Sequence, residues 1–114
     1  MSPISDEDYV ADLAADCGFP LIVVAANILG VINQTLQTLI TAAAYGDGLA
    51  VAGIVLNDVR PPAGDDLSTR SNRAELAARC VPPVVTHLGW QAADFAEPVD
   101  WYRLAARLRV TMGA

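Results

Sequence analysis

The sequence contains no lysine. All seven basic residues are arginines, at positions 60, 70, 73, 79, 103, 107 and 109. A glycine-rich phosphate loop of the Gly-x-x-x-x-Gly-Lys-Ser/Thr kind uses a lysine to reach the terminal phosphates of a nucleotide, so these 114 residues cannot supply one. Cysteine is nearly as scarce. Cys17 and Cys80 stand far apart and outside any Cys-x-x-Cys pair, and there is a single histidine, His87. That set excludes a zinc site and leaves two reduced, part-buried thiols as the expectation. Positive charge is short too: the net charge of −6 argues against nucleic acid and anionic membranes as partners. No basic stretch followed by an apolar run opens the chain, and the longest apolar stretch, residues 21–32, is broken by Asn27 and too short to span a bilayer. The expected location is the cytoplasm, and the Asn33-Gln34-Thr35 sequon is read as chance. Internal repeats and low-complexity segments are also absent.

What is abundant is apolar surface. Apolar residues make up 54% of the chain and charged ones only 18%. For a domain this small, that composition suits a sheet covered on both faces, with further surface meant for more chain or a second subunit. The pattern alternates between helical and extended periods. Ser5, followed by Asp8, reads as a helix N-cap, with Tyr9, Val10, Leu13 and Ala14 forming an apolar stripe and Gly18 the C-cap before Pro20. Residues 21–26 lack polar alternation and read as a strand buried on both faces. A helix over residues 32–45, a second buried strand over 49–56 and a loop over 61–66 follow. A helix over 68–79, with Ala74, Leu76 and Ala77 inward, leads to a short strand over 83–86 and a last helix over 99–109. The order α-β-α-β-α-β-α predicts an α/β fold, a parallel sheet with helices on both faces. Three strands are few for such a sheet, so residues 1–114 are expected to form one partial domain, the second half of a larger one.

Ligands of open parallel sheets bind at the carboxyl ends of the strands. Three segments end strands here. After the first, Gly30 and Asn33 flank a helix start, where backbone N–H groups gather around an anion or simply form a capped turn. After the second, Asn57 offers a donor and an acceptor that match the edge of adenine, or alternatively starts an Asx turn. After the third, Trp90 can stack on a base or pack locally. His87 has no carboxylate or nucleophile beside it in sequence, so no catalytic role is expected. Asp65 and Asp66 are expected to solvate a loop, and Arg70, Arg73 and Arg79 a helix face.

Taken in order, Leu29-Gly30-Val31-Ile32-Asn33-Gln34-Thr35-Leu36, Gly53-Ile54-Val55-Leu56-Asn57-Asp58-Val59-Arg60-Pro61-Pro62 and Pro83-Val84-Val85 through Trp90 resemble the C-terminal half of the dethiobiotin synthase family. Gln34 stands where that family has His, and Gly89 where Pro is common. The resemblance implies a P-loop fold and an ATP- and Mg-dependent ring closure of 7,8-diaminononanoate with carbon dioxide to dethiobiotin, in biotin biosynthesis. It also implies roles for particular residues. Asn57 and Asp58 match the adenine-recognising position, and Gly89, Trp90 and Gln91 match a backbone segment lining the adenine. Leu29, Gly30, Val31, Ile32 and Asn33 match a stretch that holds the substrate carboxylate from the neighbouring subunit of a homodimer. The family's phosphate loop, its second catalytic Lys and its metal-binding Asp and Glu have no counterpart in these residues, so catalytic and metal-ligating residues are expected elsewhere. The expectation is therefore an enzyme part that is inactive alone, paired with an N-terminal half or with a second copy, and prone to self-association. Two other readings are open. One is a non-catalytic binding or dimerisation module. The other is part of a related P-loop amidotransferase of the cobyrinate-synthase kind or of a MinD-like ATPase.

Overall fold

The structure is a computed structural model that describes residues 1–111, with side chains described through residue 106. Four helices, α1 (Val10–Cys17), α2 (Val31–Ala44), α3 (Leu67–Arg79) and α4 (Trp101–Thr111), alternate with three strands, β1 (Leu21–Ala26), β2 (Val51–Asn57) and β3 (Val84–Leu88). The strands form one parallel sheet in the order β1-β2-β3. Helices α2 and α3 touch each other and pack on β1 and β3 respectively, and α4 packs on β2. This is the α/β architecture that the alternating pattern predicts.

The expected helix start at Ser5 is displaced. Ser5 Oγ accepts the N–H groups of Glu7 and Asp8, at 3.3 and 2.9 Å, and closes a separate turn instead. α1 begins only at Val10, after the Asp12 carboxylate has taken the Tyr9 N–H at 2.7 Å. Its end is as expected, with Gly18 in the left-handed region at φ 68°. No residue of α1 is buried, and Leu13, in the middle of its apolar stripe, is 54% exposed. Cys17 is exposed, and only Cys80 is half-buried, where desolvation pushes its thiol pKa up.

The central strand β2 is buried on both faces, as its unbroken apolar run demands. β1 is not. It is an edge strand, α2 covers one of its faces, and Val24 on the other is 64% exposed. The core joins Ala25, Val31, Ile54, Leu56 and Leu76, with Val23, Ile32, Leu39, Cys80 and Val84 packed around it. Full burial of a side chain such as Ile54, Leu56 or Leu76 stabilises by about 1.5–3 kcal/mol.

α3 starts at Asp66, which does more than solvate a loop: its carboxylate accepts from Ser68 N at 3.1 Å and from Ser68 Oγ at 2.6 Å. Those hydrogen bonds hold the Asp66 pKa below the ordinary carboxylate range. Of the three residues expected inward, Leu76 is buried but Ala74 and Ala77 face out. The inward stripe is Asn72 and Leu76, one helical turn apart, and the first of these is polar. Arg73 and Arg79 are ion-paired, to Glu97 and Glu75 respectively, at 2.7 Å.

The sheet register slips between Ile54 and Val55: Ile54 pairs with Val84, but Val55 pairs with Thr86. Val85 is the extra residue, and Gly53 makes room for it, since a Cβ there would meet Val85 Cγ1 at 2.7 Å. A one-residue slip sends every later side chain to the opposite face. From Thr86 onward β3 is therefore inverted relative to Val84. Thr86 turns toward Glu97, which it contacts at 2.9 Å, and His87 turns to the face of Leu56. The segment after β3 runs back along its outer edge, where Ala96 N donates to His87 O at 2.8 Å.

Candidate functional site

The carboxyl ends of the three strands meet in a cluster of polar side chains. Asn27 follows β1, Asp58 follows β2, His87 lies near the end of β3, and Asn72 and Thr69 come from α3. Asn27 and Asn72 are 5% and 3% exposed, values at which a polar group needs partners. They have them. Asn27 Nδ2 donates to Asp58 Oδ1 at 2.7 Å and to Thr69 O at 3.2 Å, while Asn72 Nδ2 donates to Asn27 Oδ1 at 2.9 Å and to Ile28 O at 3.2 Å. His87 Nε2 stands 2.8 Å from Asp58 Oδ1. No buried side-chain N or O lacks a partner among the described residues.

Backbone bonds tie the same corner together. Asn27 N donates to Asn57 O at 2.8 Å, and Asp58 N to Leu88 O at 2.9 Å. Against this corner lies a cleft of about 200 Å³, lined by Asn27, Ile28, Asp58, Asp66, Thr69 and His87 together with the Arg60–Ala63 loop. Larger hollows lie elsewhere. One of about 440 Å³ separates α1 from α2 and is lined by uncharged side chains, Gln34, Gln37, Thr38 and Thr41 among them, and one of about 360 Å³ opens among Leu36, Ile40, Cys80 and Val81; neither brings a carboxylate and a histidine together as the strand-end cleft does. By chemistry the smaller cleft is the candidate site.

The residues singled out in the sequence all fall along this edge of the sheet, in distinct places. Asp58 lines the cleft. Asn57, its neighbour, is half-buried on the opposite face of β2, and its side-chain amide makes no hydrogen bond among the described residues. Gly89, Trp90 and Gln91 leave the end of β3 in a tight turn closed by Ala92 N donating to Gly89 O at 3.1 Å. Gln91 takes φ 52°, a conformation that costs a residue with a side chain about 1–2 kcal/mol. Trp90 is 39% exposed, and its ring makes no aromatic contact among the described residues. Leu29 and Gly30 form the exposed turn into α2, Gly30 at φ 95°, while Val31 is buried in the core, Ile32 is half-buried and Asn33 faces out. The α2 start thus joins the corner through Asn27 and Ile28, and its own residues do not line the cleft.

The partner of His87 is the feature that sequence reading missed. Asp58 is 29 residues away, and the two meet because of the register slip at Val85. The buried asparagines left fainter signals: Asn27 interrupts an apolar run at a strand end, and Asn72 shares the inward stripe of α3 with Leu76. Among the described residues no three of His, Cys, Asp and Glu gather to hold a metal ion, and no helix is long and apolar enough to cross a membrane.

The chain matches known proteins over most of its length. A family model described as an AAA domain matches residues 1–93. An ATP-dependent dethiobiotin synthetase from Anaeromyxobacter dehalogenans (strain 2CP-1) is 42% identical over 89 residues, 78% of this chain and 38% of the relative. One from Corynebacterium kroppenstedtii is 39% identical over 83 residues, and one from Bacillus thuringiensis is 42% identical over 55 residues; these cover 32% and 22% of the relatives. The chain therefore spans less than two-fifths of the length of these relatives. No solved structure matches it with significance. With 93 matched residues, the chain belongs to the AAA-domain family, and within it is similar to the dethiobiotin synthetases named above.

Proposed function

We propose that these residues form the nucleobase-recognising side, and the substrate-carboxylate side, of a dethiobiotin synthetase-like site. The observation that carries the reading is the joint between β2 and β3. The Asp58 N–H to Leu88 O bond sets Asn57 and Asp58 beside the Gly89–Trp90–Gln91 turn, at the carboxyl end of a parallel sheet. A free amide on Asn57 offers adenine a donor and an acceptor, and Asp58 adds an acceptor. The left-handed Gln91 supports a role for that turn, since strained backbone gathers at ligand sites. Leu29, Gly30, Val31, Ile32 and Asn33 bring a helix N-terminus to the neighbouring strand end, which suits the carboxylate of 7,8-diaminononanoate reached across a homodimer.

ATP fits this corner at its base and not at its phosphates. The chain has no lysine for a phosphate loop, and no metal-holding cluster gathers among its described residues, so in this reading the phosphate loop and the Mg ligands belong to polypeptide outside residues 1–114. Phosphoryl transfer depends on positioning and charge neutralisation by such groups. Alone, the chain is expected to bind ATP weakly and to form no dethiobiotin. The test is calorimetric titration with ATP of the wild-type chain and of Asn57→Ala, beside an assay with 7,8-diaminononanoate, bicarbonate, ATP and Mg. Weak binding that Asn57→Ala abolishes supports the nucleobase reading, and equal binding by both contradicts it. Dethiobiotin above a heat-killed control would overturn the expectation of inactivity. The missing lysine also favours a second reading, a non-catalytic module that keeps the nucleobase corner, and an open reading frame upstream encoding a phosphate loop would argue against that one.

A further inference from the structure

Only one oxygen of the Asp58 carboxylate is engaged within the fold. Oδ1 receives Asn27 Nδ2 at 2.7 Å and faces His87 Nε2 at 2.8 Å. Oδ2 has no hydrogen-bond partner among the described residues, although Asp58 lines the cleft. A carboxylate that is ionised only accepts, so a hydrogen bond across this contact requires the proton on His87 Nε2.

The rest of the cluster allows no other arrangement. Turning the Asn27 amide over would set its oxygen against Asp58 Oδ1 and its nitrogen against Asn72 Nδ2. Turning Asn72 over would set oxygen against Asn27 Oδ1 and Ile28 O. The chain of bonds runs from α3 through the ends of β1 and β2 to β3, and every link in it fixes the rotamer of one carboxylate. Buried polar and ionic clusters can often be replaced by apolar side chains of similar volume without loss of stability. What they would not do is hold one acceptor oxygen and leave its twin for the cleft. The slip at Val85, accommodated by Gly53, is what brings His87 to this face.

We infer that His87 is a positioning residue for ligand recognition: as its Nε2–H form it holds Asp58 Oδ1, so that Oδ2 is presented to an N–H or O–H donor of a bound nucleoside. This rests on the nucleobase reading above. His87 itself touches no ligand in this account and acts through Asp58.

The single histidine makes the test clean. The 114-residue chain, ¹⁵N-labelled at histidine and at backbone amides, is titrated with ATP as wild type, His87→Ala and His87→Gln, and long-range ¹H–¹⁵N spectra report which ring nitrogen carries the proton. The free wild-type chain is expected to show Nε2–H, with the imidazole signals moving as ATP binds. The dissociation constant should rise about tenfold in His87→Ala and return to within about threefold of wild type in His87→Gln, whose amide nitrogen reaches the place of Nε2. A neutral Nδ1–H imidazole overturns the inference, as does a folded His87→Ala or a folded His87→Gln that departs from these expectations: wild-type affinity in the first, or more than about tenfold weakening in the second. If His87→Ala does not fold, the tautomer and the glutamine variant decide. ATP that moves no resonance in the wild-type chain sinks the nucleobase reading and the positioning role with it. ATP that binds wild type and His87→Ala equally leaves the reading standing and removes only the inference.

Discussion

The carboxyl-end corner and the α1 flank treat polarity in opposite ways. At the corner, Asn27 and Asn72 are buried polar residues, and the side-chain amide of each is bonded to groups distant in sequence. On the flank, Val10 and Leu13 are apolar and exposed, and no residue of α1 is buried. Polar groups thus lie inside where the chemistry would be, and apolar ones lie outside where there is none. The hydrogen bonds of the corner come from three strand ends and α3. The flank is held locally, by the Ser5 turn, the Asp12 bond to Tyr9 N and the Gly18 cap. Stability and the candidate site therefore belong to the same half of the molecule.

The largest expected effect separates the two regions directly. Leu76→Ala, at a side chain with no exposure, should cost about 2–5 kcal/mol in urea unfolding, whereas Leu13→Ala should cost under about 0.5 kcal/mol. Equal losses would erase the contrast. Next comes the corner itself. Asn27→Ala strips donors and an acceptor from buried neighbours and should cost about 1–3 kcal/mol. Gly53→Ala drives a methyl into Val85 and should cost a similar 1–3 kcal/mol, roughly, and also remove the Nε2–H signature of His87 by correcting the slip. A stable Gly53→Ala chain with that signature unchanged would break the link between the slip and His87.

Acid should weaken the corner's surroundings. Arg73 and Thr86 hold the Glu97 pKa low, and Ser68 does the same for Asp66. A carboxylate depressed in the folded state contributes stability above its unfolded pKa and loses it as pH falls through the folded value. Thermal midpoints should therefore hold down to the unfolded values, 4.5 for Glu97 and 3.8 for Asp66, and drop below them. Glu97→Gln should flatten the upper part of that drop, and an unchanged pH profile would contradict the assignment. Both groups are solvent-facing, so the effect is small. Smallest in free energy, yet visible in scattering, is the flank: the chain should self-associate, and Leu13→Ser with Val10→Ser should reduce this. A monodisperse wild-type monomer would count against exposed apolar surface as the cause.

Most of the fold could be read in the chain itself. The unbroken apolar run of β2 and the glycines at 18 and 30 mark a buried strand and two helix boundaries, because burial and positive φ constrain residue type directly. Edge position is not written locally, so β1 read like β2, although Val24 is exposed. Helix facing also misled: Ala74 and Ala77 fit an inward stripe by type, but Asn72 takes that place because Asn27 and Ile28 O need its amide. For the candidate site, the sequence pattern places Asn57, Asp58 and the 89–91 turn at strand ends, where the structure has them, while the His87–Asp58 pair depends on a register slip that only the three-dimensional pairing of β2 with β3 reveals.

The central claim is that the carboxyl-end corner is the well-held, nucleoside-binding part of the chain. Amide hydrogen exchange, residue by residue and with and without ATP, tests it most directly. The amides of Asn27 and Asp58, bonded to Asn57 O and Leu88 O, should exchange near the rate of global unfolding, and those of α1 much faster. ATP should add protection at residues 57–58 and 89–91 and leave α1 unchanged. Protection of α1 equal to that of β2, or ATP protection centred on the α1 flank, would contradict the account.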